Sequence, residues 1–272
     1  MKRRTAGGTA LTIIAWALGI VFVFPVFWMV LTSFKQEADA YTDDPKFLFT
    51  PTLDQYRLVF DGGLGPYLLN SLIATVISCL LVVALAVPAA YALSIRPVKG
   101  TKDALFFFIS TKMLPVVAAI VPIFVAAQNM HLLDNVWSLV LLYTGMNLPI
   151  AVWMMRSFFQ EVPSEVLEAA KVDGAGLRTE LTRVLLPMVA PGIAATALIC
   201  AIFAWNEFFF AVNLTAINAP TVPVFLVGFI TSEGLYWARL SAAATLAVLP
   251  VVIVGWIAQR QLVRGLSMGA LK

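Results

Sequence analysis

The sequence predicts an all-α integral membrane protein with six transmembrane helices. Of its 272 residues, 61% are hydrophobic and 12% are charged, whereas soluble domains are about half apolar and one quarter charged. Six segments are apolar over the roughly 20 residues that a helix needs to cross the bilayer core. No Gly- or Ser-rich linker separates these segments. We therefore expect one transmembrane domain over residues 1–272.

Each predicted span lies in a long run with at most one charged residue. The first run is too long for the apolar core of a secretory signal, which is about 7–15 residues, so we expect it to be an uncleaved span. Asparagines and prolines interrupt the uncharged stretch 208–232, which we interpret as an outer loop that dips into the membrane. The predicted spans are approximately 10–34, 67–95, 104–128, 135–157, 187–210 and 240–259, followed by a tail at 260–272.

The positions of lysine and arginine predict the orientation of the chain. Flanking positive charge is retained in the cytoplasm, and six spans place both termini on one side. Most of the eighteen basic residues would lie on that side. The opposite side would hold Lys35, Lys46, Arg57 and Arg239. We therefore expect a multi-pass protein with both termini in the cytoplasm.

A short acidic segment separates the fourth and fifth predicted spans. Residues 160–180 contain five acidic residues against two basic ones, a net charge of −3. Ser164 is suited to cap a helix, and Gly174 and Gly176 are suited to end it. The pattern predicts a cytoplasmic helix at about 164–175, which is too short to cross a membrane.

Three interpretations of this acidic helix are open from the residues alone. The helix is a solvated connector, a helix lying on the bilayer surface, or a segment that inserts into a groove of a cytoplasmic protein. Surface-lying helices are typically rich in lysine and arginine, which suit anionic lipids. The negative charge therefore disfavours the second interpretation.

The same segment carries a family resemblance. It reads EAAKVDGAG, followed ten residues after Gly174 by VLLP, and this spacing resembles the EAA signature of ABC importer permeases. The resemblance implies a type I importer fold in which this coupling helix docks onto an ATPase dimer. It also implies the docking residues, which are Glu168, Ala169, Ala170, Asp173, Gly174, Gly176, Leu186 and Pro187.

The chain has no phosphate-binding loop of the form GxxxxGK[ST]. We therefore expect a transport subunit rather than an enzyme, without a cofactor of its own. ATP and Mg would be bound by the partner ATPase. Neither His131 nor the two cysteines have metal-ligand spacing, so we predict no metal site and no catalytic residues, and we expect no nucleic-acid partner.

Further stretches narrow the resemblance to the carbohydrate-uptake branch. The segments NLPIAVWMMRSFFQEVP and FAWNEFFFA resemble the second permease of a heterodimeric pair. FPVFWMVLTSFK and QLVRGLSMGALK resemble permeases for polyols such as mannitol or sorbitol, with a disaccharide such as trehalose or maltose as the alternative. The resemblance implies a bacterial cytoplasmic (inner) membrane location and an extracellular or periplasmic binding protein. It also implies a tail contact with the ATPase through Gly265, Ser267 and Gly269.

Polar residues within or beside the spans are candidates for a substrate path, because such groups are costly at membrane depth. The candidates are Asn147, Asn206, Glu207 and Asn213. Lys112 is a second charge at membrane depth, where its stem can extend toward the interface. An ion-coupled secondary carrier is the alternative from another class. Only Glu207 is available as an embedded acid for it, which disfavours that alternative.

Overall fold

The computed structural model describes residues 6–42, 44–96, 99–231 and 234–268. Within these ranges the regular secondary structure is helical apart from one pair of short antiparallel strands. The helices are α1 Ala6–Thr32, α2 Glu37–Ala40, α3 Asp54–Asp61, α4 Leu64–Ser94, α5 Thr101–Met113, α6 Val116–Asn129, α7 Val136–Gln160, α8 Ser164–Val172, α9 Leu177–Thr179, a π-helix Glu180–Leu185, α10 Leu186–Trp205, α11 Phe209–Leu214, α12 Val222–Val227 and α13 Trp237–Met268. The strands are β1 Ile230–Thr231 and β2 Gly234–Leu235.

The all-α membrane fold is confirmed. Five uninterrupted helical stretches are long and apolar enough to cross a bilayer, and one bent pair of helices forms a sixth. The stretches are Leu11–Thr32, Leu64–Ser94, Val136–Gln160, Leu177–Trp205 and Trp237–Gln259. The uncharged stretch that follows α10 folds into α11, α12 and the first strand.

The third span is broken rather than continuous. Helix α5 ends at Met113, α6 begins at Val116, and the two axes differ by 94°. Leu114 adopts an extended backbone with ψ 124° because the ring of Pro115 disfavours the helical region for the preceding residue. Pro115 also lacks the N–H that a continuous helix would need. The sequence expectation of one helix across 104–128 therefore differs from the structure at this proline.

The chain divides into two compact units, the smaller one comprising Met1–Gly65 and Phe225–Leu249 and the larger one Pro66–Val224 and Pro250–Lys272. In the larger unit, α4, α7 and α10 enclose the core. Small residues line the contacts between these helices and allow their backbones to approach closely. Close packing matters here because the hydrophobic effect does not drive helices together in lipid. These include Ala86 and Ala90 of α4, Ala151 of α7, and Gly192 and Ala195 of α10.

In the smaller unit, a loop near the beginning of the chain holds the start of the last span. The Glu37 carboxylate accepts hydrogen bonds from the N–H groups of Ala238 at 3.0 Å and Arg239 at 3.3 Å. An acid here pairs the unsatisfied N–H groups of α13 and suits the positive end of its dipole. The ammonium of the buried Lys35 lies 4.2 Å from the ring centre of Trp28.

In the larger unit, a single carboxylate clamps two loops together. Asp134, which precedes α7, accepts hydrogen bonds from the N–H groups of four consecutive residues, 216–219, at 2.8–3.2 Å. The side-chain amide of Asn218 donates a further bond at 2.8 Å. Burial raises the pKa of Asp134, but these backbone donors lower it more, to about 2.

Replacing Gly192 with alanine should destabilise the packing of α7 against α10. A Cβ atom at this position would clash with the ring of Phe158, and such overpacking costs about 1–3 kcal/mol. The thermal midpoint of the detergent-purified protein measures this loss. Gly145→Ala is the matched control, since a Cβ there meets no atom within 4 Å. Equal midpoints for the two variants would contradict the packing argument.

The Asp134 clamp should weaken on acidification. Because the folded-state pKa of Asp134 is about 2, below the value of roughly 4 for an unperturbed aspartate, the clamp is fully stabilising above about pH 4. Its contribution is lost as the pH falls through about 2. The midpoint difference between wild type and Asp134→Asn should therefore shrink over this range. Asp61→Asn, the same change at an exposed aspartate, is the control.

Candidate functional site

The cap of the acidic helix α8 lies one residue earlier than predicted. Pro163 is the capping position, with extended backbone angles, and Ser164 is the first helical residue. The carbonyl of Pro163 accepts from the N–H of Val166 at 3.2 Å. The prediction of Ser164 as a side-chain cap is therefore wrong, because a residue already inside the helix cannot occupy the cap position. The first-turn acid Glu165 still suits the positive end of the helix.

The end of α8 is fixed by a glycine with a left-handed backbone. Gly174 has φ +76°, its N–H donates to the carbonyl of Lys171, and the N–H of Ala175 donates to the carbonyl of Ala170 at 2.9 Å. This pair of bonds is a Schellman motif, which reverses the chain abruptly. The helix is therefore nine residues long and ends at Val172, three residues before the predicted boundary.

The faces of α8 differ in exposure. Ala170 is buried, and Leu167 packs against the core of the larger unit. The exposed residues of α8 and the reversal include Glu168, Ala169, Val172 and Asp173, together with the basic Lys171. Val172 is 87% exposed, and Leu177 just beyond the glycines is 55% exposed. We call Glu168, Ala169, Val172, Asp173 and Leu177 the α8 surface, an apolar centre with an acidic margin.

The structure divides the predicted docking residues into two groups. Glu168, Ala169, Asp173, Gly174, Gly176 and Pro187 are exposed. Ala170 is buried and Leu186 is half-buried against the core, so these two hold the segment in place. Val172 and Leu177 were not predicted from the sequence. The available signal was an apolar residue on each side of the glycine turn within an otherwise acidic segment.

Glu180 differs from the other acids of this segment because it is buried. Its side chain is 1% exposed at the start of the π-helix. One carboxylate oxygen accepts the hydroxyl of Tyr91 at 2.7 Å, and the other pairs with the guanidinium of Arg96 at 2.9 Å. The sequence count of −3 included Glu180 as a surface charge, whereas this charge is paired inside the protein.

The predicted substrate-path residues do not form one cluster of free polar groups. The amides of Asn206 and Asn213 are exposed and donate to the carbonyls four residues earlier, Ile202 and Phe209. Both oxygens of Glu207 accept from the N–H groups of Phe210 and Ala211 at the start of α11. These three side chains therefore pair with nearby backbone.

Asn147 is the exception among these residues. It is 1% exposed in the middle of α7, and its amide donates to the carbonyl of Cys200 at 3.4 Å. Its Oδ1 atom is buried and makes no hydrogen bond to the described part of the chain. A buried acceptor without a donor is costly, so this oxygen has hydrogen-bonding capacity that the described part of the chain does not use.

Lys112 lies in the last turn of α5, immediately before the break in the third span. Its side chain is exposed and lines a cavity of about 380 Å³ together with Met146 and Pro149 of α7 and Phe210 of α11. Helix α13 continues to Met268, so Gly265 and Ser267 lie in its last turns. Gly269 lies outside the described residues.

The sequence and fold match known transport proteins over most of the chain. The model of the family described as binding-protein-dependent transport system inner membrane component matches residues 83–268. A probable ABC transporter permease of Sinorhizobium fredii is 39% identical over 94% of this chain and 92% of its own length. A trehalose/maltose transport system permease of Thermococcus litoralis is 33% identical over 94% of this chain and 93% of its own.

A solved structure shares the fold. The crystal structure of a bacterial ABC transporter involved in the import of the acidic polysaccharide alginate matches with a TM-score of 0.76 and 22% identity, over 96% of this chain and 98% of that chain. The family match covers about two thirds of the present sequence and includes α8 and its reversal. The chain therefore belongs to the binding-protein-dependent transport system inner membrane components, the multi-pass permease subunits of ABC importers.

Proposed function

We propose that this chain is the permease of a sugar importer and that the α8 surface docks into a groove of the ATPase dimer. The observation that carries the proposal is the exposure of Val172 on a nine-residue helix whose opposite face is anchored in the core. An apolar side chain that projects from an acidic, rigidly ended helix is suited to insertion into a protein groove. Burying a valine side chain contributes about 1.5–3 kcal/mol.

The ATPase dimer supplies the energy in this proposal. ATP and Mg are bound by that partner, and this chain carries no cofactor. Glu168 and Asp173 lie at the margin of the α8 surface, where complementary positive charge on the partner would fix the orientation of docking. Gly176 follows the same surface in sequence, Pro187 at the start of α10 is a further docking residue in this proposal, and the tail residues Gly265, Ser267 and Gly269 provide a second contact.

In this proposal the ATPase dimer lies in the cytoplasm. The positive-inside tendency supports this orientation, because most of the basic residues would then lie on the same side as α8 and both termini. The solute-binding protein then docks on the opposite, outer side. A second permease completes the pore, since one chain of six spans encloses only part of a translocation path. The assembly resides in the bacterial inner membrane.

Transport proceeds by alternating access. Closure of the ATPase dimer displaces α8, and packed helices respond as rigid bodies because cores have discrete arrangements rather than continuous ones. The Schellman motif supports this role because it gives the α8 end a fixed direction.

The proposed solute is a disaccharide rather than a polyol. The 33% identical relative named for trehalose and maltose supports this choice. Asn147, with its buried unpaired oxygen, is a suitable acceptor for a sugar hydroxyl. Asn206, Glu207 and Asn213 extend the path toward the outer side, although their local backbone bonds must exchange for contacts with the solute.

Glu168→Lys should weaken ATPase docking, because it reverses a charge at the margin of the α8 surface. We expect about tenfold less ATPase to copurify with the permease, which corresponds to about 1.4 kcal/mol. Glu161→Lys is the control, since it makes the same charge change at an exposed residue at the end of α7. Undiminished copurification of the Glu168 variant would argue against docking through this surface.

The solute assignment can be tested on the reconstituted importer with its binding protein. Trehalose or maltose should stimulate ATP hydrolysis, whereas mannitol and sorbitol should leave the basal rate unchanged. An Asn147→Ala variant should lose stimulation if its free oxygen contacts the solute. Stimulation by polyols alone would refute the disaccharide assignment while leaving the importer mechanism intact.

A further inference from the structure

The junction between α8 and the fifth span contains a buried ionic contact that the docking proposal does not use. Glu180 lies six residues after Gly174 and opens the π-helix Glu180–Leu185. A π-helix widens the turn and is frequently found at functional sites. The Glu180 side chain is 1% exposed, in contrast to the exposed acids of the α8 surface.

The partners of Glu180 come from the end of a different span. Tyr91 belongs to the last turn of α4, and Arg96 follows that helix by two residues. The carbonyl of Tyr91 accepts the N–H groups of Ile95 and Arg96, so the chain that carries the guanidinium is itself folded onto the helix end. The hydroxyl of Tyr91 and the guanidinium of Arg96 then converge on the two oxygens of one carboxylate.

The two donors to Glu180 differ in their exposure to solvent. The Tyr91 side chain is buried and packs edge to face against Phe159 of α7, with ring centres 6.1 Å apart. Arg96 is half-exposed. Removing either donor would leave a buried carboxylate without full compensation, which is strongly destabilising for that arrangement.

We propose that Glu180 is a positioning residue for energy coupling, which ties α4 to the docking helix through Tyr91 and Arg96. This inference rests on the proposed docking of α8. A displacement of α8 is carried along the short connection through α9 to the π-helix. The carboxylate transmits that displacement to the end of α4, a helix of 31 residues. The second and fifth spans thus move together, although 84 residues separate Arg96 from Glu180 in sequence.

The atoms in contact predict which substitutions preserve this connection. Arg96 uses one nitrogen, Nη2, in the ion pair, so a lysine ammonium can replace it. Glu180→Gln retains the size of the side chain but removes its charge. It also replaces one acceptor oxygen with an NH₂ group, which cannot accept a hydrogen bond from Tyr91 or Arg96. Tyr91→Phe removes one hydrogen bond and keeps the ring against Phe159.

The test uses the complete importer in proteoliposomes, with both permeases, the ATPase dimer and the binding protein. The measured quantity is solute imported per ATP hydrolysed. Glu180→Gln should lower this ratio by about tenfold, within the usual range of coupling between sites, while ATPase copurification stays at the wild-type level. Tyr91→Phe and Arg96→Gln should also lower the ratio of solute imported to ATP hydrolysed, whereas Arg96→Lys should retain most of the wild-type ratio.

Further measurements separate coupling from stability. Glu161→Gln, the same change at an exposed carboxylate, should leave the ratio unaltered. Combining Glu180→Gln with Arg96→Gln should cost little more than either change alone, because both interrupt one connection. An unchanged ratio in Glu180→Gln, or a loss of complex and thermal stability with the ratio intact, would overturn the proposal. Absence of a copurifying ATPase from wild type would instead refute the docking function.

Discussion

The absence of water from the bilayer core is the constraint on which this structure depends. A backbone N–H or C=O in hydrocarbon has no solvent partner, so the chain must satisfy these groups within its own helices. Long helices α1, α4, α7 and α13 meet this requirement directly. In the described part of the spans, irregular backbone lies at helix ends and at the break in the third span. The features that distinguish this permease accordingly lie at those ends, where side chains and glycines supply the missing partners.

Sequence reasoning predicted the spans well because length and apolar composition determine them locally. It predicted the break at Pro115 poorly, since the same type of residue lies inside continuous helices at Pro88 and Pro149. Whether a proline kinks or breaks a helix depends on neighbouring segments that the sequence does not display. The π-helix after α9 was missed for the same reason. Its widened turn depends on tertiary packing, and the local sequence carries no distinct signal for it.

The acidic segment was recognised from charge, glycine spacing and family resemblance, and the structure adds which residues face outward. A count of charges could not separate Glu168, which is exposed, from Glu180, which is paired inside the protein. That difference depends on α4, which is distant in sequence. The polar residues near the fifth span were likewise identified by type, but hydrogen bonds to nearby carbonyls and N–H groups already engage most of them. The residue type predicts how many hydrogen bonds a side chain can make. The neighbouring backbone determines how many of these remain available to a solute.

The Glu37 contact has a consequence for the biogenesis of the protein. Its acceptor oxygens lie shortly after the first span, whereas the N–H groups that they pair with lie 201 and 202 residues later, at the start of the last span. The smaller unit therefore contains both an early and a late part of the chain. During synthesis Glu37 cannot form this contact until the start of α13 has been made, because Ala238 and Arg239 supply the N–H groups. Closure of this unit is thus a late step of folding, and until then the early loop lacks the backbone donors that pair with Glu37.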